Sequence, residues 1–141
     1  MELTPRQKRR AVTRWLWIVP CAILVWYGML LVGMGLYSLA TRFCPADALL
    51  SGFCTASWFR PVERAIVVGS AGLTALAIVM VAAIGAPMYR LRAAAVMFAV
   101  GIAIAFNMLS HTGAQAEFAA AVIGGLLGVI IASRLKQSIE L

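Results

Sequence analysis

Four stretches of this sequence stay apolar long enough to cross a bilayer, and little else about the chain constrains its fold as strongly. They run from about Trp15 to Ala40, from 65 to 86, from 93 to 110 and from 116 to 133. A membrane-spanning helix needs about 20 mostly apolar residues, with a working range of roughly 17–25. The first three stretches hold no charged residue, and the fourth holds only Glu117, at its start. Composition agrees, with 63% hydrophobic and 12% charged residues against about 25% charged in soluble domains. The expected fold is therefore all-α: an integral membrane four-helix bundle, one domain over residues 1–141, with an outer loop at 41–64.

The net charge of +7 first suggests nucleic acid. Its distribution argues otherwise. Arg6, Lys8, Arg9, Arg10 and Arg14 crowd the start of the chain, just before the first apolar run. Together with Arg90, Arg92, Arg134 and Lys136, nine of the twelve basic residues fall on one side of a four-span arrangement. Arg42, Arg60 and Arg64 fall on the other, among Asp47, Glu63 and Glu117. Cytoplasmic loops carry the excess of Lys and Arg, so both termini are expected in the cytoplasm. The start also resembles a secretory signal ending at "SLA", residues 38–40. Signal cores run only about 7–15 apolar residues, so the stretch reads as a retained anchor. Ten arginines against two lysines, with abundant alanine, suggest a bacterial inner membrane.

Within lipid, helices associate through close backbone approach at small residues. Ala116, Ala120, Gly124, Gly128 and Ala132 recur every four residues and form the expected packing face of the fourth helix, with Gly125 widening it. Ser70, Gly72 and Thr74, and Gly101 with Ala105, offer further close contacts. Pro20 is expected to kink the first helix, and Pro87 to end the second. Trp26 reads as a core tryptophan, with a groove for a lipid tail or partner helix as the alternative. Trp15, Trp17, Trp58 and Phe59 are expected as anchors at the two membrane interfaces.

Chemistry is sparse. No ionisable residue stands near the middle of a span, and such groups carry most pump and ion-coupled transport chemistry. One polar cluster sits at the outer end of the last hairpin. Asn107 and His111 share a helix face by their four-residue spacing, and Glu117 opens the fourth helix, where the helix dipole favours a carboxylate. These three could receive a head group, a quinone oxygen or a metal, or merely bond between helices, solvate the turn and cap the helix. No metal or cofactor is expected, although a bound lipid or quinone would fit.

Cys44 and Cys54 lie in the outer loop and are expected to pair as a structural disulfide, while Cys21 remains a buried thiol. A single short helical turn is expected between the paired cysteines, broken at Ser51–Gly52. The layout is shared with quinone-linked disulfide oxidoreductases, but those carry close CxxC pairs and this spacing is C-x9-C. The leading expectation is a non-enzymatic accessory or scaffold subunit of a transport, respiratory or secretion complex. Its partners would be membrane lipids and other subunits or further copies of itself, and not nucleic acid. A small channel, transporter or lipid-binding protein is the alternative, and a thiol-disulfide oxidoreductase the third reading.

Overall fold

The computed structural model describes residues 5–86 and 89–137, with side chains from Leu16 to Ala86 and from Tyr89 to Leu135. Four helices dominate: α1 (Pro5–Arg42), α2 (Phe59–Gly85), α3 (Arg90–Thr112) and α4 (Gln115–Gln137). All four are long and apolar enough to cross a membrane. At 1.5 Å per residue, α3 and α4, with 23 residues each, reach about 34 Å.

Helices overrun the apolar stretches because hydropathy marks solvent preference, not backbone conformation. α1 continues unbroken through Pro20 and ends at Arg42. α2 begins at Phe59, ahead of the expected start near 65, so the non-helical segment shrinks to residues 43–58. Pro61 permits that early start, since the first turn of a helix leaves its N–H groups unpaired anyway. α2 ends at Gly85 with Ala86 extended (φ −68°, ψ 121°), the conformation a following proline imposes. Pro87 itself lies outside the described residues. α3 stops at Gly113, which takes the left-handed conformation (φ 68°) and donates its N–H to the Leu109 carbonyl at 2.9 Å, a common glycine stop.

The segment between α1 and α2 is more ordered than a single helical turn. A 3₁₀ turn at Ala46–Ala48 leads into a two-stranded antiparallel hairpin, β1 (Leu49–Leu50) and β2 (Phe53–Cys54), with Leu50 opposite Phe53. Ser51 and Gly52 both have positive φ (51° and 86°), the signature of the tight type I′ turn that matches strand twist. The Cys44–Cys54 disulfide ties the hairpin to the end of α1, with Cα atoms 5.9 Å apart. Thr55 closes the base, its N–H and hydroxyl both donating to the Ala48 carbonyl at 2.9 Å.

The tightest helix pair is α2 with α4, which run parallel because the chain returns through α3. A Cβ built on Gly72 would meet the Ala120 carbonyl at 3.1 Å, and one on Gly124 would collide with the Gly72 carbonyl. Further along, Gly128 faces Val79 (3.0 Å) and the Leu76 carbonyl (3.3 Å), and Ala132 is buried with Val79, Ala83 and Ala94. Ala116 is only half-buried. Gly125 lies under the Phe98 ring.

α1 packs chiefly on α2, whereas α3 packs on both α2 and α4. At the end where α2 stops and α3 starts, the 86–89 end, Ile18, Ala82, Ala86, Ala93 and Met97 converge. At the hairpin end, Tyr37 of α1 meets Phe59 of α2 edge-on, with ring centroids 5.5 Å apart. Phe59 is 2% exposed. It is a core residue and not one of the expected interface anchors, because the first turn of α2 directs its ring inward onto α1. Trp17 and Trp58 are exposed, and the Trp15 side chain lies outside the described ones.

Candidate functional site

The packing pattern leaves a gap. α1 and α3 come together at the 86–89 end but are separated towards the hairpin end, where α2 and α4 form the floor between them. The result is a lateral cleft of about 690 Å³ lined by all four helices. Trp26, Met29, Met34 and Tyr37 form the α1 wall, and Phe98, Ile102 and Leu109 form much of the α3 wall. Small residues make the floor: Ala71 and Ala75 from α2, Ala121 and Gly125 from α4. Towards the 86–89 end, the cleft stops above the Ile18–Ala82–Ala93 cluster.

Its polar side chains are few, and the three aliphatic hydroxyls are engaged, whereas the Tyr37 hydroxyl and the Trp26 N–H line it without a hydrogen bond among the described residues. The Ser70 hydroxyl donates to the Val67 carbonyl at 2.8 Å, Thr74 to Ser70 at 2.6 Å and Thr112 to Met108 at 2.8 Å. Each bond stays within its own helix. Such pairing lets a hydroxyl lie against hydrocarbon without leaving a donor unmet. Glu117 differs. It lines the same cleft, half-buried in the first turn of α4, and makes no hydrogen bond or ion pair among the described residues.

The structure therefore divides the polar cluster expected from the sequence. Glu117 lines the cleft, whereas Asn107 and His111 are exposed and do not line it. Among the described residues, no three His, Cys, Asp or Glu side chains gather closely enough to hold a metal ion. Helical spacing puts Asn107 and His111 on one face, but Met108, Leu109 and Thr112 occupy the neighbouring face that turns to the cleft.

Two other expectations change. Trp26 is not a core tryptophan: it is 46% exposed and forms part of the cleft wall, its ring edge-on to Tyr27 at 4.9 Å. Gly101 and Ala105 line the cleft as well, and a Cβ on Gly101 would meet nothing within 4 Å. Their small side chains thus keep the cleft open where a close helix contact was expected. The only signal for this in the sequence was the pairing of small residues on α3 with a mid-span tryptophan on α1. Comparison with protein-family models, with curated proteins and with solved structures finds no match.

Proposed function

We propose that this chain is a non-enzymatic multi-pass protein of a bacterial inner membrane, with both termini cytoplasmic, that holds a lipid in its lateral cleft. The lipid's apolar chain lies between α1 and α3, and its head group rests at the Glu117 end, in the outer leaflet. The charge asymmetry supports the orientation.

The observation that carries this reading is the volume and lining of the cleft. Ligand pockets run from about 300 to 1,000 Å³, and 690 Å³ of nearly wholly apolar space falls inside that range. A spanning partner helix, some 10 Å wide and 30 Å long, would need about 2,400 Å³. Such a helix could place only a few side chains in the cleft, whereas a lipid chain enters it completely.

The test is retention through purification. Protein extracted gently from its native membrane should carry about one lipid per chain, enriched in kind over the bulk membrane. Gly101→Trp puts an indole into the open space of the cleft and should abolish retention without unfolding the protein. A lipid content equal to bulk, or unchanged in Gly101→Trp, overturns the reading.

A second reading draws support from the same glycine. Unpartnered small residues one turn apart, Gly101 and Ala105, suit the close approach of another helix, as an accessory subunit of a larger membrane complex requires. A photo-cross-linker at Ala105 that captures one membrane protein reproducibly, instead of lipid, would favour it.

A further inference from the structure

The hairpin between α1 and α2 exposes large apolar side chains in a segment that belongs to no span. Phe43 is 73% exposed, Leu50 64% and Phe53 67%. Leu50 and Phe53 face each other across the type I′ turn, so the tip of the loop is its most apolar part. Loop tips are ordinarily polar, and a contiguous apolar patch marks an interaction surface.

We propose that this hairpin is a lipid anchor, seated in the head-group layer, with Leu50 and Phe53 entering the acyl region beneath it. Position supports a bilayer as the occupant. The uncharged part of α1 lies between Arg14 and Arg42, a rise of about 40 Å at 1.5 Å per residue, comparable with the roughly 40–45 Å of a bilayer with its head groups. The hairpin therefore starts at head-group level. It cannot leave that level, because the disulfide holds Cys54 with its Cα 5.9 Å from that of Cys44. Phe53 adjoins Cys54, so its Cα lies within about 10 Å of that of Cys44, two residues past the end of α1.

Charge is compatible with the same occupant. Arg42, Arg60 and Arg64 are exposed on the two helix ends that carry the hairpin and outnumber Asp47 in the loop and the half-buried Glu63. Apolar side chains flanked by arginines suit an interface in which the guanidinium groups meet lipid phosphates and the apolar groups sit just below them. The pattern replaces Phe59, which is buried, with Leu50 and Phe53 as membrane contacts.

This inference rests on the chain spanning a membrane, and the experiment separates the two. p-Benzoylphenylalanine is introduced at Phe53 and, separately, at Leu31, which is exposed on α1 away from the cleft. The full chain is irradiated in its native membrane and the adducts are identified by mass spectrometry. Lipid adducts at both positions are the expected result. Lipid at Leu31 with a protein adduct, or none, at Phe53 overturns the anchor and leaves the membrane reading standing. Lipid at neither position overturns both. Because Phe53 is solvent-exposed, the aromatic replacement removes no packing, and circular dichroism of the variant confirms an intact fold.

Discussion

Replacing Gly124 with alanine adds one methyl group at the closest approach in the molecule. The new Cβ would collide with the Gly72 carbonyl, a backbone group that no rotamer change can move. α2 and α4 must therefore separate. Val79, 2% exposed, faces Gly128 one turn further along and shares in the separation. A fully buried side chain makes about 40 atom contacts worth some 0.15 kcal/mol each, and a gap of 0.5–1 Å forfeits at least a quarter of that. Val79 alone then loses about 1.5 kcal/mol. Smaller losses at Ala83 and Ala132, which share its cluster, bring the total to roughly 2–4 kcal/mol. Alanine returns about 1 kcal/mol of helix propensity, so the net destabilisation is about 1–3 kcal/mol.

Gly101→Ala is the internal control, because its Cβ meets nothing within 4 Å and it should gain up to about 1 kcal/mol from propensity alone. Reversible unfolding in mixed detergent micelles, followed by far-UV circular dichroism, measures both variants. The reasoning fails if Gly124→Ala is as stable as Gly101→Ala. A smaller separation at Gly72→Ala, where the nearest atom is 3.1 Å away, should give an intermediate value.

Opening the Cys44–Cys54 bridge by Cys44→Ser should cost about 2–3 kcal/mol, from the loop of some eleven residues it closes, read as a lower unfolding midpoint that reductant reproduces in the wild type. Phe59→Ala should destabilise by about 3–5 kcal/mol, as for other buried aromatics, whereas Phe53→Ala should leave stability in detergent within about 0.5 kcal/mol, as at other exposed sites. Glu117→Gln should change which lipid head groups are retained, by mass spectrometry of the bound lipid, while keeping the number bound. An unchanged head-group profile would remove Glu117 from the site.

What could be read from the sequence divides along physical lines. The four helices and the small-residue repeat on α4 depend on local periodicity, which one chain displays directly. The disulfide was accessible because only Cys44 and Cys54 lie outside the apolar stretches. The cleft was not, because it depends on α1 choosing α2 and avoiding α4, a result of side-chain volumes on four helices at once. The same holds for Phe59 and Phe53. Both are aromatic and both lie near the interface, but one falls on the inward side of the first turn of α2 and the other at the tip of a hairpin.

The distribution of side-chain size along the helices shapes the cleft. At the 86–89 end most buried positions are alanines, Ala82, Ala83, Ala86, Ala93, Ala94 and Ala132 beside Ile18, so the backbones close together. Towards the hairpin end, the larger Trp26, Met34 and Leu109 line the cleft. The cleft is open on one side and is not a closed void, so its apolar lining meets whatever surrounds the helices and is best covered by apolar material. Water finds few partners there, since a stable internal water needs two to four and the unengaged polar side chains on the described lining are Glu117, Tyr37 and Trp26. Hydrocarbon has no such requirement, and a bilayer supplies it at the open side of the cleft. For the lipid proposed between α1 and α3, narrowing the cleft at Gly101 should displace it while leaving the α2–α4 contact intact.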